Sequence, residues 1–261
     1  MEIHTLSSGS SGNCLLASGG GSHLLVDVGI SCRRITSALS SLDAAMEEVA
    51  GILITHEHSD HIAGLATLSK KFSLPIYTSP GTARQLCCRI AGLEDRIHLV
   101  EPGGSLDLGP FGVESFPTSH DAAQPMGFVL SHSGRKAAVV TDLGYVSDAV
   151  LDCVLGAHLV VCEANHDVDW LRDGPYPYAL KARVLSDRGH LSNEAGAALA
   201  LKCVQAGAAT IILAHLSAQN NTPARALQAA SFALSSAGID PARDVTLAVA
   251  PRNTVSPLYE V

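Results

Sequence analysis

The sequence predicts an α/β fold, in which short buried strands alternate with amphipathic helices. Hydrophobic residues make up 47% of the chain and aromatic residues only 4%, so the core is built mainly from Ala, Val, Ile and Leu, as in sheets covered by helices. Apolar, β-branched segments also alternate with helical patterns along the whole chain. No linker of low complexity divides them, so we expect residues 1–261 to form a single domain.

The elements follow from the periodicity of the apolar residues. Nine segments have the length and composition of strands: 23–29, 51–55, 75–78, 112–118, 126–131, 136–142, 158–164, 209–215 and 244–250. Six segments show a helical pattern: 31–42, 61–72, 80–91, 146–154, 192–206 and 222–237. In the second of these, Ile62, Leu65, Ala66 and Phe72 share one face.

Charge and targeting signals exclude several classes of protein. The formal net charge of −8 argues against a broad basic surface for nucleic acid, although two bound divalent cations would add about four positive charges locally. The start of the chain has no basic segment followed by an apolar stretch, and no later run approaches the length of a membrane span. We therefore expect a cytoplasmic protein with no membrane partner.

Polar and ionisable residues collect directly after predicted strands. THEHSDH follows 51–55, SHD follows 112–118, TDLG closes 136–142 and AHLS closes 209–215. Ligand sites in α/β folds collect at such strand ends, where loops converge. The candidate metal ligands at these ends are His56, His58, Asp60, His61, His120, Asp142 and His215.

The spacing within the first cluster favours metal binding. Neutral imidazoles and carboxylates suit Zn, Mn, Fe or Ni. Alternation along an extended turn would let His56 and His58 reach one ion, while Asp60 and His61 reach a second. A structural zinc site and a polar loop are the alternatives for this cluster taken alone, and the residues at the other strand ends argue against both.

These motifs resemble those of the metallo-β-lactamase superfamily. Its signature HxHxDH occurs at 56–61, and VDVG, TSHD, VTDLG and LAHLS match its other motifs in order. The resemblance implies a four-layer αββα sandwich of two mixed β-sheets flanked by helices, with two similar halves that meet near residues 110–120. It also implies a hydrolase in which two divalent metal ions activate a bridging water as hydroxide.

The same resemblance implies which residues hold each ion. The first metal would be bound by His56, His58 and His120, the second by Asp60, His61 and His215, and Asp142 would bridge the two. Asp60 and Asp142 would thereby act in catalysis as well as in metal binding. A secreted β-lactamase would ordinarily carry Cys where this chain has Asp142, so the pattern counts against antibiotic hydrolysis.

Other polar residues receive simpler interpretations. Asp27 in VDVG would accept a hydrogen bond that orients the ligand loop, although a plain strand-end turn is an equally good interpretation. Glu57 and Ser59 are predicted to be solvated. The remaining histidines are expected to be satisfied locally, and His166, after EAN, is the one kept as a possible functional residue.

The C-terminal third resembles ribonuclease Z and related phosphodiesterases. In that resemblance, His190 of GHLSN would protonate the leaving oxygen or contact the scissile phosphate. The alternative is that His190 only precedes a helix, for which Ser192 is a good N-cap with Glu194 in the first turn. Arg183 and Arg188 are interpreted either as phosphate contacts or as a solvated face.

A closer resemblance is to the WalJ/YycJ branch of the superfamily. It is carried by LSSGSSGNC, VDVGISCRRI, THEHSDHIAGL, FPTSHDAAQPMGF, TDLGYVSD, EANHD and GHLSN, which together cover most of the chain. This resemblance implies a DNA exonuclease, with nucleic acid as the substrate. The opening Ser/Gly run is interpreted either as a nest of backbone N–H groups for a phosphate or as a plain turn.

Two other functions stay open from the sequence. A hydrolase of a small thioester, lactone or cyclic phosphodiester would fit the acidic charge better than a DNA enzyme does. A metal-bound regulatory protein without turnover is the third possibility, although it would leave a complete ligand set unused. The sequence identifies no protein partner.

Overall fold

The computed structural model describes all residues 1–261, and its strands form two mixed sheets of seven strands each. The strands are β1 (Glu2–Ser7), β2 (Cys14–Gly19), β3 (Ser22–Val26), β4 (Val49–Leu53), β5 (Ile76–Thr78), β6 (Ile97–Leu99), β7 (Ser105–Leu108), β8 (Phe111–Pro117), β9 (Met126–His132), β10 (Arg135–Val140), β11 (Leu159–Glu163), β12 (Thr210–Ala214), β13 (Thr246–Val249) and β14 (Tyr259–Glu260). The α-helices are α1 (Cys32–Ser41), α2 (Ser59–Ile62), α3 (Leu65–Lys71), α4 (Pro80–Arg89), α5 (Asp148–Val154), α6 (Val168–Asp173), α7 (Tyr178–Val184), α8 (Asn193–Gln205) and α9 (Pro223–Ser236). None of these helices has the length and apolar character needed to cross a membrane.

The chain divides into two compact units. The first unit comprises residues 1–117, 122–134 and 251–260, and the second comprises 118–121, 135–250 and 261. In the first unit, one sheet has the order β14-β1-β2-β3-β4-β5-β6. Its strands are antiparallel from β14 to β3 and parallel from β3 to β6. In the same unit, β8 pairs antiparallel with both β7 and β9.

The core of the first unit lies between this sheet and its helices. Leu25 of β3, Ile52 of β4, Ile35 of α1, Leu65 of α3 and Leu86 of α4 are all at most 2% exposed and belong to one apolar cluster. Burying each such side chain contributes roughly 1.5–3 kcal/mol. The parallel strands β3 and β4 therefore lie on a fixed support, and the polar loops that follow them start from defined positions.

In the second unit, β10, β11, β12 and β13 are parallel and adjacent in that order. Their carboxyl ends share one edge, and Asp142, Glu163 and His215 lie at the ends of the first three. Helix α8 packs on β11 and β12, and α9 packs on β13. Gly196 makes the first contact possible, because a Cβ at this position would lie 2.1 Å from the carbonyl oxygen of Glu163.

All nine predicted strands are present, with ends shifted by a few residues, but five strands were not predicted. Polar residues within one of them, β1, hide the apolar pattern. Strand β1 buries His4 and Thr5, and both form hydrogen bonds with Ser256. The backbone N–H of Thr5 donates to Oγ of Ser256 at 3.0 Å, and Nδ1 of His4 donates to the carbonyl oxygen of Ser256 at 3.2 Å. A partner about 250 positions away cannot be read from local periodicity.

The helix predicted over 61–72 is wrong, because the chain forms α2 and α3 with a break at Gly64. The N–H of Gly64 donates to the carbonyl oxygen of Val28 at 2.8 Å. A Cβ at Gly64 would lie 2.2 Å from the carbonyl oxygen of Ile30. Tertiary contact with the loop after β3 therefore overrides the helical pattern. Helices α6 and α7 were not predicted either, since both are too short for a clear apolar period.

Replacing Gly196 by Ala tests the close contact between α8 and β11. In an ordinary helix interior, Gly→Ala raises stability by roughly 0.5–1 kcal/mol. Here the added methyl group meets backbone, and overpacking of this kind costs about 1–3 kcal/mol. We expect Gly196→Ala to lower the free energy of unfolding measured by urea titration. A variant more stable than the wild type would contradict the described packing.

Candidate metal centre

In the first unit, a buried carboxylate holds the loop that follows β4. Asp27, directly after β3, accepts hydrogen bonds from the backbone N–H of Thr55 at 2.9 Å and from the Thr55 hydroxyl at 2.9 Å. It also accepts one from Nδ1 of His61 at 2.7 Å. A carboxylate can only accept, so Nδ1 of His61 carries the proton. Nε2 of His61 is therefore the nitrogen suited to bind a metal ion.

The other predicted ligands of this loop lie beside His61. The ring of His56 has its centroid 4.1 Å from that of His61 and 4.6 Å from that of His58. The hydroxyl of Thr55 donates its proton to Asp27. It therefore accepts a hydrogen bond from Nδ1 of His56, at 3.0 Å. His56 and His61 are buried, whereas His58 is partly exposed. Oδ2 of Asp60 is 3.6 Å from Nε2 of His61.

In the second unit, four side chains converge at the carboxyl ends of the parallel strands. One ligand atom from each of Asp142, Glu163, His190 and His215 lies within 4.8 Å of the others. Oε1 of Glu163 accepts from Nδ1 of His190 at 2.8 Å and from Nδ1 of His215 at 2.9 Å. Both histidines are thus held with Nδ1 protonated, and their Nε2 atoms are left for other partners.

Glu163 is a site residue that the sequence interpretation missed. Its Oε2 accepts hydrogen bonds from the backbone N–H groups of Leu143 and Leu191, each at 3.1 Å. Burial raises the pKa of this carboxyl, but the charges and hydrogen bonds of His190 and His215 outweigh that effect and hold the pKa well below its ordinary value. The signal in the sequence was a carboxylate at the end of the apolar strand HLVVCEA, since a buried charge needs partners.

His120 is oriented by the loop that precedes His190. Nδ1 of His120 donates to the carbonyl oxygen of Gly189 at 3.0 Å, and Nε2 lies 3.8 Å from Oδ1 of Asp142. Burial, opposed by the charge of Asp142, lowers the pKa of His120. The neutral form is the one that binds metals. Arg188 donates from Nη2 to the carbonyl oxygen of His120 at 3.2 Å.

Three site residues have left-handed backbone conformations. The φ angles are 58° at Asp27, 61° at Asp142 and 58° at His215, each just beyond a parallel strand. Such conformations cost of order 1–3 kcal/mol at a residue other than Gly and concentrate at functional sites. They turn the chain sharply at the point where each of these strands ends.

Glu57 is buried, and the prediction that it is solvated is wrong. Its carboxylate accepts hydrogen bonds from the backbone N–H of Ala123 at 2.8 Å and from the hydroxyl of Thr82 at 3.2 Å. Its backbone carbonyl accepts from Arg89 of α4 at 2.8 Å. Glu57 therefore connects the ligand loop to α4 and to the loop that precedes β9. Ser59 is exposed, as predicted.

Comparison with known proteins identifies the family. Residues 23–216 match the family model described as "Beta-lactamase superfamily domain". The exodeoxyribonuclease YycJ of Bacillus anthracis is 39% identical over 239 residues, which cover 91% of this chain and 90% of that protein. The exodeoxyribonuclease WalJ of Streptococcus pneumoniae is 37% identical over 259 residues, which cover 98% and 96%. The chain belongs to the metallo-β-lactamase superfamily.

A solved structure agrees with this assignment. The metallo-β-lactamase fold protein YhfI from Bacillus subtilis superposes with a TM-score of 0.72 at 18% identity, over 98% of both chains. The predicted superfamily, its YycJ/WalJ branch and the predicted fold class are thereby confirmed.

The donor atoms of this metallo-β-lactamase superfamily member fit divalent metal ions. His61, His120 and His215 each donate Nδ1 to a protein oxygen, which leaves Nε2 as the candidate ligand atom. Carboxylates of Asp60 and Asp142 complete a set of nitrogen and oxygen donors that suits Zn and other borderline to hard cations. The chain therefore has the metallo-β-lactamase fold with candidate His and Asp residues for metal binding.

His166, kept as a possible functional residue, is buried in the second unit beside the start of α8. Its side chain is 1% exposed, its carbonyl oxygen accepts from the backbone N–H of Asn193, and it forms an isolated bridge with Ser192. Burial lowers the pKa of His166 to about 4, although the charge of Glu163 opposes this. His166 is therefore neutral in the folded chain at neutral pH.

Substitution of Glu163 by Gln tests the anchor of His190 and His215. The amide keeps the shape, but it removes the negative charge and places N–H groups against donors. Loss of a group that orients metal ligands costs about 10–100-fold in metal affinity or activity. We expect Glu163→Gln to lower the affinity for Zn by that amount in a competition assay with a fluorescent chelator. Glu194→Gln, on the exposed face of α8, is the matched control, and equal affinities in the two variants would refute the role of Glu163.

Titration of His166 gives a pH dependence that stability measurements can isolate. The unfolded chain binds a proton at His166 as the pH falls below 6.5, whereas the folded chain does so only near pH 4. Stability is therefore lost as the pH falls from 6.5 to 4, by up to roughly 3 kcal/mol. We expect His166→Gln to flatten this part of the curve in urea titrations with a chelator present, relative to the exposed control His98→Gln. Parallel curves for wild type and both variants would show that His166 is not the titrating group.

Proposed function

We propose that this chain is a metal-dependent exonuclease that acts on DNA, with residues 1–261 as one cytoplasmic catalytic domain. Relatives named exodeoxyribonuclease, similar over more than 90% of the chain, support the substrate class. The observation that carries the reaction type is the hydrogen bond between His190 and Glu163, beside Asp142. An oriented imidazole in this place suits protonation of a poor alkoxide leaving group, as phosphodiester cleavage requires.

The proposed ligand set is the one that the superfamily resemblance implies. The first ion would be held by His56, His58 and His120, the second by Asp60, His61 and His215, and Asp142 would contact both. Bound divalent ions would lower the pKa of a water molecule and stabilise charge on the attacked phosphoryl group. Zn, Mn, Fe and Ni all suit these donors. The hydrogen bonds of Asp27 and Glu163 would keep the ligand histidines in the required tautomer.

His190 would act as the general acid. Its Nδ1 donates to Glu163, so Nε2 is the nitrogen that can exchange a proton with the substrate. The side chain is 18% exposed, against 2% for His215 and 1% for His120, so of these three histidines it is the one that a substrate can reach. The hydrogen bond to Glu163 would keep the ring oriented for this proton transfer.

Basic side chains beside His190 support an extended anionic substrate. Arg183 and Arg188 are exposed, and they contact Asp121 and the carbonyl oxygen of His120 respectively. Arg188 would add positive charge at the edge of the site, in a chain whose formal net charge is −8, whereas the charge of Arg183 is paired with that of Asp121. That acidic charge favours the second candidate function, hydrolysis of a small thioester, lactone or cyclic phosphodiester.

The test is a substrate screen with metal-quantified protein. We expect degradation of a 5′-labelled DNA strand, and a loss of about 10²–10⁴-fold in rate for His190→Ala with the metal content unchanged. The loss should be much smaller with bis(p-nitrophenyl) phosphate, because p-nitrophenolate leaves without protonation. His98→Ala, at an exposed position, is the control variant.

Other outcomes separate the alternatives. Intact DNA and RNA together with turnover of a thioester or lactone would replace the nuclease by the small-molecule hydrolase. Metal-replete protein inactive on every substrate would favour a regulatory role. An equal loss on DNA and on bis(p-nitrophenyl) phosphate would show that His190 is not the general acid.

A further inference from the structure

The side chain of Asn13 lies against the metal-binding nitrogen proposed for His61. Asn13 ends the Ser/Gly-rich loop between β1 and β2, and its Nδ2 is 3.2 Å from Nε2 of His61. Nδ1 of the same ring is already bonded to Asp27. Asn13 is partly exposed, so a substrate at this place could contact it. Its carboxamide is neither a metal ligand nor a support for one of the histidine Nδ1 atoms.

Hydrogen bonds of the loop fix which end of the amide faces His61. Oδ1 of Asn13 accepts from the backbone N–H of Gly9 at 2.8 Å, which identifies the other atom as nitrogen. The backbone of Asn13 is held as well, since its N–H donates to the carbonyl oxygen of Asp60 at 2.7 Å and its carbonyl accepts from Gly29 at 2.7 Å. A Cβ at Gly29 would lie 1.7 Å from the same Asp60 oxygen. The amide is therefore directed by a close-packed backbone.

The chemistry of an amide nitrogen restricts what this group can do. Nδ2 is a hydrogen-bond donor and cannot accept. One of its two N–H groups donates to the carbonyl oxygen of Asp60 at 3.4 Å. The other is satisfied by Nε2 of His61 only while that nitrogen keeps its lone pair. A cation on Nε2 would use the lone pair and place positive charge in front of the N–H dipole. The second N–H group then needs another acceptor, and beside a cation an anionic oxygen is the most favourable one, because hydrogen bonds to charged groups are the stronger ones.

We propose that Asn13 donates a hydrogen bond from Nδ2 to a non-bridging oxygen of the scissile phosphate and so selects phosphoryl substrates. This rests on the proposed function, since it takes a phosphodiester as the substrate. Phosphoryl groups fit the requirement because their oxygens carry charge in the ground state, whereas the carbonyl oxygens of thioesters and lactones do not. The Ser/Gly pattern by itself indicates a backbone nest or a plain turn, whereas the contacts of Asn13 favour a role for its side chain.

The decisive variant is Asn13→Asp. It keeps the shape and the oxygen that bonds Gly9, but it replaces the donor by a negatively charged acceptor. Binding of inorganic phosphate to the zinc-loaded protein is measured by isothermal titration calorimetry, and bound zinc by elemental analysis. We expect phosphate affinity to fall by at least about tenfold, as for a lost hydrogen bond to a charged group, with the zinc content unchanged. The matched control is Gln205→Glu, the same amide-to-acid change at an exposed position near the end of α8.

Two results would overturn the inference. Phosphate affinity equal to that of Gln205→Glu would show that Asn13 does not contact the anion. Loss of zinc in Asn13→Asp, repeated in Asn13→Ala, would show that Asn13 only supports His61. A rise in KM for bis(p-nitrophenyl) phosphate at unchanged kcat would agree with a positioning contact to the phosphate.

Failure of the proposed function gives a different pattern. Wild-type protein that binds phosphate through Asn13 but cleaves no phosphodiester would overturn the exonuclease and leave the contact standing. Wild-type protein that degrades DNA, with phosphate affinity independent of Asn13, would overturn the contact and leave the exonuclease standing.

Discussion

Buried carboxylates bonded to histidine Nδ1 atoms are the interaction on which the candidate metal centre depends. Asp27 holds His61 in the first unit, and Glu163 holds His190 and His215 in the second. A buried charge is costly unless it is paired and hydrogen-bonded. Each carboxylate meets this condition with backbone N–H donors as well as with imidazoles. The result is a set of rings whose tautomer and direction are fixed before any ligand binds.

The parallel strands provide the platform for this interaction. Asp27, Asp142 and His215 stand just beyond β3, β10 and β12, all with left-handed backbone. These conformations cost free energy, and the burial of the apolar strands that precede them offsets that cost. Glycines take part where backbones approach closely, as at Gly29 and Gly64, where a Cβ would meet carbonyl oxygens at 1.7 and 2.2 Å. The geometry of the site therefore depends on the packing of the core.

Electrostatics explains how an acidic chain can act on an anionic substrate. The net charge of −8 is a property of the whole surface, whereas the reaction responds to charge within a few ångströms of the reacting atoms. There, bound divalent cations and the guanidinium group of Arg188 would add positive charge beside the ligand carboxylates. The donor of Asn13 would add a directed contact to that field, one that suits a charged phosphoryl oxygen better than an uncharged carbonyl oxygen.

The sequence by itself determined the elements and the donor types, because both are local properties. Apolar runs marked nine strands, and HxHxDH with its strand-end companions marked the candidate ligands. Tertiary structure alone decided the roles of Glu163, Glu57 and Asn13, whose partners lie 27, 66 and 48 positions away. It also broke the helix predicted over 61–72, since Gly64 bonds to Val28. A polar residue shows its type in the sequence, but its hydrogen-bond partners exist only after the chain has folded.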